Sequence, residues 1–235
     1  MDPHSPFSYL VFPPREEHTH TVIWFHGPGS SASELSSELF KCKASQPEGQ
    51  PRTLRDIFPT IKWVFPRAPP LDMSRWFHRW YNEQYEALRF NHSLRYSGIS
   101  QITDGLEEEV YQVPVNRIFL AWIGQGFPTP ISACELTFQA RFAGLIGLSS
   151  GLASYVPRLR HMPRFPLVLP TPAFLAHCAD DEVIPIESGR RLRDILSDSL
   201  RPIQWKEYSD GGHWINEPQG VDDIVAFIKR NMYRY

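Results

Sequence analysis

"LAWIGQGFPTP", residues 120–130, joins two kinds of local structure. An apolar, β-rich run from Arg117 to Ile123 stops at Gly124-Gln125-Gly126 and gives way to a helix-like segment. A strand that turns through glycine into a helix is the repeating unit of an α/β sheet. Outward from it, apolar runs recur at 20–26 ("HTVIWFH"), 61–66 ("IKWVFP"), 142–150 ("FAGLIGLSS"), 172–178 ("PAFLAHC") and 203–209 ("IQWKEYS"). Most are apolar on successive residues, which predicts strands covered on both faces, as in a parallel sheet. Segments with helical spacing lie at 31–42, 98–113, 188–200 and 221–233. The 22 prolines gather in connections such as "PRAPP" and "PRFPLVLPTP", where they stop helices and stiffen loops.

A chain of 235 residues with 42% hydrophobic and 13% aromatic content is long enough for one α/β domain with a full core. A single domain over 1–235 is expected, with 67–96 as a lid-like or pocket-wall insertion in which Trp76, Phe77, Trp80 and Tyr81 are candidate pocket walls. The net charge of -2 offers no electrostatic footing for nucleic acid or an anionic membrane, so a small, neutral or mildly polar substrate is the expected partner. Three cysteines, Cys42, Cys134 and Cys178, at unrelated spacings predict reduced thiols rather than a disulfide framework. The start "MDPHSPFSYLVFPP" lacks the pattern of a signal peptide, and no apolar run approaches the roughly 20 residues of a membrane helix. A soluble, cytoplasmic protein is therefore expected.

In open α/β sheets, ligands sit beyond the carboxyl ends of the strands. Four predicted strand ends carry chemistry: "WFHGPGSS", "WIGQG", "HCADDEVIP" and "SDGGHW". With "FP-x-A" at 65–68, "WF" at 76–77, "VP-x-x-RIFL" at 113–120, "D-E-x-x-P" at 181–185 and "GHW" at 212–214, they resemble the acyl-protein thioesterase and carboxylesterase group, especially its fungal members, from about Thr21 to Phe227. The resemblance implies an α/β-hydrolase fold: a mostly parallel central sheet with helices on both faces. It also implies a nucleophile, acid and base in the chain order of that fold. His213 then corresponds to the general base and Asp181 to its orienting carboxylate, with Asp180 as the neighbouring alternative. A carboxylate that accepts from Nδ1 fixes the tautomer and leaves Nε2 to take a proton.

The departures from the family pattern matter as much. Gly124 stands at the position of the nucleophilic serine, so an acyl-enzyme is not expected. Trp122 replaces the first small residue of G-x-S-x-G. One oxyanion donor implied by the resemblance is the N–H of the residue after "HG", and Pro28 has none; the amide of Gln125 is the remaining candidate. Loss of one such donor costs about 10²–10³-fold in a reaction through a tetrahedral oxyanion. Pro128 and Pro130 delay or bend the helix that should begin here. Pro28, Trp76, Phe77, Trp80, Trp122, Phe127 and Trp214 are the candidate substrate-binding residues.

Other nucleophile candidates, Cys178, Ser149 and Ser150, lie at strand ends away from the elbow and are read as packing or turn residues. His18 and His20 alternate like a metal-binding H-x-H but lack a third ligand nearby, so they are read as exposed, and neither a metal nor a cofactor is expected. Three functional accounts follow. The favoured one is an enzyme that uses the His213–Asp181 pair for a non-hydrolytic acid/base reaction, such as cyclisation, isomerisation or elimination, on a small intermediate of fungal secondary metabolism. The second is a ligand-binding pseudohydrolase. The third is a carboxylesterase or thioesterase, with water in the serine's role or Gly124 replacing a natural serine.

Overall fold

A computed structural model describes residues 9–27, 29–67, 113–124, 141–151, 171–197 and 202–233. They contain seven strands: β1 (Tyr9–Phe12), β2 (His20–Phe25), β3 (Ile61–Pro66), β4 (Ile118–Ile123), β5 (Gly144–Leu148), β6 (Ala173–Cys178) and β7 (Ile203–Tyr208). All join one sheet in the order β1-β3-β2-β4-β5-β6-β7. Every neighbouring pair is parallel except β1 with β3. The six predicted strands are all present. β1 is an addition: Tyr9-Leu10-Val11-Phe12 is apolar throughout but only four residues long, and it lies at a sheet edge. Helices α1 (Ala32–Leu39), α2 (Leu54–Ile57), α3 (Ile186–Leu196) and α4 (Gln219–Met232), with one 3-10 turn at Val115–Arg117, complete the described elements. The predicted helix at 98–113 and the predicted insertion at 67–96 lie outside the described residues, save for Arg67 and Val113 at their edges.

The continuous apolar runs follow from burial on both sides. In β4, Phe119, Ala121 and Ile123 pack with Leu35 and Leu39 of α1 and with Ile224, Phe227 and Ile228 of α4. The alternate residues Ile118, Leu120 and Trp122 pack on the opposite face with Leu192 and Leu196 of α3. Helix α4 presents Val221, Ile224, Phe227, Ile228 and Met232, three or four apart, as one apolar stripe. Helix α1 begins at Ser31, whose hydroxyl accepts from the Glu34 amide at 3.2 Å, a cap that stabilises a helix by about 1 kcal/mol. Because β2 and β4 to β7 run the same way, the turns after all five open at one edge of the sheet.

His20 corrects an expectation. It opens β2 and is 3% exposed, with Nδ1 against Thr19 Oγ1 at 3.1 Å and its ring 6.1 Å from that of Phe119. His18 is only part-exposed, with Nε2 3.0 Å from Thr21 Oγ1. The alternation places the first residue of a buried strand, rather than two exposed ligands. Among the described residues no group of three or more His, Cys, Asp or Glu is arranged to hold a metal, and no helix is long and apolar enough to cross a membrane.

Burial, reinforced by Arg117 and His18, holds the His20 pKa down to about 4 from 6.5. The unfolded chain therefore takes up this proton at a higher pH than the folded one. The contribution is complete above about pH 6.5 and is lost as the pH falls towards 4, with an upper limit on the order of 3 kcal/mol. Denaturant titrations from pH 7 to 4.5 should show a shallower loss of stability for His20→Gln than for the parent. Parallel losses would remove His20 from the acid response.

Candidate active site

Three of these turns meet. Gly124 follows β4, Asp181 follows β6, and His213 lies on the loop between β7 and α4. The carboxylate of Asp181 is fully buried and ringed by N–H groups, as an acceptor removed from water requires. Its Oδ1 accepts from the amides of Val183 and Ile184, at 2.9 Å each. His213 Nδ1 donates to Oδ2 at 2.9 Å and lies 3.2 Å from Oδ1. A carboxylate can only accept, so the proton of a neutral His213 sits on Nδ1 and Nε2 keeps its lone pair.

That lone pair faces Gly124. A Cβ built on Gly124 would stand 3.0 Å from His213 Nε2 and 3.4 Å from Cε1. The imidazole lies closer to the turn than a side-chain carbon comfortably permits. Gly124 has φ +63°, a left-handed conformation that glycine adopts without penalty. A tight corner after β4 is thus present with no side chain at its tip.

The two adjacent aspartates divide the work of this site. While Asp181 takes the imidazole, Asp180 Oδ2 and Oδ1 accept from the amides of Gly211 (3.2 Å) and Gly212 (2.8 Å), tying down the backbone just before His213. On the same loop the Asn216 amide donates to the carbonyl and carboxylate of Asp210, at 3.0 and 2.7 Å. The sequence reading treated Asp180 only as a substitute for Asp181. Its anchoring part, and that of Asn216, depend on contacts between strand ends that no local pattern records. A third residue missed is His177, whose Nε2 lies 3.2 Å from Asp181 Oδ2. Its spacing four residues before the acid was the available signal.

Two candidate substrate contacts are placed by the structure. Trp122 is wholly buried and belongs to the apolar cluster on the α3 side of the sheet. Gly147 on neighbouring β5 makes room for it, since a Cβ there would run into the Trp122 ring and, at 2.8 Å, into Leu175. The large ring in β4 is balanced by a missing one in β5. Trp214 packs on the core as a loop anchor: its indole N–H donates to Cys42 Sγ at 3.3 Å, and its carbonyl accepts from Ser149 Oγ at 3.4 Å and from the Cys178 thiol at 3.7 Å. Pro28, Trp76, Phe77, Trp80, Gln125 and Phe127 lie outside the described residues.

The other nucleophile candidates are engaged elsewhere. Ser150 Oγ donates to the Leu148 carbonyl at 2.9 Å, and Ser149 occupies a turn at φ +46°. Burial, with the charges of Asp180, Asp181 and Asp210, pushes the Cys178 thiol up to about 11, so it remains protonated near neutrality.

A mostly parallel sheet carrying these turns at its carboxyl edge has the α/β-hydrolase fold. The chain belongs to the phospholipase/carboxylesterase family, whose model matches residues 8–232. It is 26% identical to acyl-protein thioesterase 1 of Yarrowia lipolytica, over 97% of this chain and 98% of that one. Among solved structures, esterase PE8 is similar at 19% identity with a TM-score of 0.62, over 95% of this chain and 98% of the other. A carboxylesterase from Mesorhizobium loti is similar at 14% identity with a TM-score of 0.63, over 97% and 96%. At such identities the structural likeness establishes the fold alone.

The division between the aspartates can be read by proton NMR. The downfield imidazole N–H resonance of His213 should persist in Asp180→Asn and disappear in Asp181→Asn. The latter should also lose about 1–3 kcal/mol of stability, because a carboxamide cannot accept from every N–H that surrounds it. Equal effects from both variants would mean that either carboxylate can hold the ring.

Proposed function

We propose that the chain acts by general acid/base catalysis on a small organic substrate, without an acyl-enzyme, and that its reaction is a non-hydrolytic proton transfer: an isomerisation, elimination or ring closure. His213 Nε2 accepts the proton and later returns it. Asp181 holds the tautomer and stabilises the imidazolium that forms between the two events. Gly124 stands where the family's serine would, so the strand corner supplies shape and no nucleophile.

The observation that carries this reading is the contact between His213 Nε2 and Gly124. The base is assembled and oriented behind a corner with no side chain, and a Cβ there would sit only 3.0 Å from the nitrogen. Pro28, which has no N–H to offer an oxyanion, further supports chemistry that avoids a tetrahedral intermediate.

A second reading is favoured by the family itself and by relatives named as thioesterases and carboxylesterases. Here His213 activates water directly against an ester or thioester, again with no covalent intermediate. The readings part over the origin of the product's oxygen. Turnover in ¹⁸O-water leaves the product of a proton transfer unlabelled at the acyl carbon and labels the product of hydrolysis.

Both readings require His213 and exclude a serine adduct. His213→Ala should lower turnover by about 10²-fold or more while ligand affinity stays within a few-fold. A fluorophosphonate probe should leave the parent chain unlabelled. Gly124→Ser should show at most a trace of p-nitrophenyl ester hydrolysis, because its Cβ crowds the imidazole and a misplacement of ~1 Å costs about 10²-fold. Vigorous esterase activity from that single change would overturn the proposal and identify an ordinary carboxylesterase lacking its nucleophile.

A further inference from the structure

His177 is a buried imidazole with no part in the chemistry so far described. It is the fifth residue of β6, its side chain is fully buried, and its ring lies 6.4 Å from that of Trp205 on β7. Nε2 is 2.8 Å from the carbonyl oxygen of Ile184 and 3.2 Å from Asp181 Oδ2. Both neighbours can only accept, so Nε2 must carry the proton. Nδ1 is buried without a hydrogen-bond partner. It faces Gly189 in the middle of α3, where a Cβ would run into Nδ1 and come within 3.0 Å of Trp205. A glycine inside a helix costs roughly 0.5–1 kcal/mol relative to alanine. Here that cost admits an imidazole beneath the helix.

We propose that His177 is a positioning residue for the acid/base pair, a second imidazole that shares Asp181 with His213 and sets how much of the carboxylate reaches the base. The inference rests on the reading of His213 and Asp181 given above. Oδ2 accepts from His213 Nδ1 at 2.9 Å and lies 3.2 Å from His177 Nε2, whose N–H is directed to the Ile184 carbonyl, while Oδ1 is taken by the Val183 and Ile184 amides. That bond to the Ile184 carbonyl holds the positive end of the N–H beside the carboxylate at the head of the acid loop. A positive N–H dipole held beside a carboxylate offsets part of its negative charge. His177 therefore restrains the stabilisation that Asp181 gives to a protonated His213, keeping the base ready to give its proton back. Other charges near His213 are Asp180 from the end of β6 and Asp210 on its own loop; the Cys178 thiol lies under Gly211, and Gly124 brings no charge from β4. None of these is altered by changing His177.

The test is an NMR pH titration of the His213 ring, which needs no substrate and so is independent of the class of reaction. His177→Leu keeps an apolar filler but removes the N–H, and the His213 midpoint should rise by about half a pH unit. His177→Gln places an amide N–H near the position of Nε2 and should return the midpoint to the parent value. A role in packing alone would move both variants alike, and that result, or an unchanged or lowered midpoint in His177→Leu, overturns the proposal. If the leucine variant does not fold, the ¹⁵N resonances of the parent chain decide. His177 should show a protonated Nε2 and a bare Nδ1, and the opposite tautomer would leave it nothing to donate. If the His213 shifts appear but His213→Ala leaves turnover unchanged, the coupling stands and the functional reading fails.

Discussion

A carboxylate removed from water must be met by hydrogen-bond donors, and Asp181 meets this demand from several directions at once. Two amides of its own loop and an imidazole from the loop after β7 donate to its two oxygens, and an imidazole from within β6 lies 3.2 Å from one of them. Each donor fixes something beyond itself. The amides set the path of the acid loop into α3. His213 brings the last loop over the sheet edge, and Asp180 holds that loop by the backbone. His177 requires a helix thin enough at Gly189 to lie over it. A buried charge left short of partners would cost several kcal/mol, so these elements are coupled through one side chain.

The sheet was legible in the sequence because burial on both faces prints an apolar residue at nearly every position. β4 shows this fully, with Ile118, Leu120 and Trp122 on one side and Phe119, Ala121 and Ile123 on the other. The His213–Asp181 pairing was also legible, since the two residues follow strands in the order that the fold demands. What escaped was set between strands. Whether Trp122 walls a pocket or fills the core depends on Gly147 of the neighbouring strand. His20 looks like an exposed ligand until β2 is placed within the core, and the tie between the Trp214 indole and Cys42 joins residues far apart in the chain. Partners distant in sequence decide such cases, and periodicity is blind to them.

The corner at Gly124 separates two properties that hydrolases of this fold usually combine. The turn after β4 needs a left-handed residue, and glycine meets that need at least cost. Attack on a carbonyl needs an oxygen at the same point, and glycine has none. The backbone requirement is therefore independent of the chemical one, and retention of the turn says nothing about retention of the nucleophile. The imidazole is different. Its orientation depends on Asp181, Asp180 and the Gly211-Gly212 backbone, none of which is needed merely to pass from β7 to α4. The two adjacent aspartates carry separate tasks, one on the ring and one on the backbone. That division keeps His213 Nε2 aimed at Gly124, the geometry on which the proposed acid/base reaction rests.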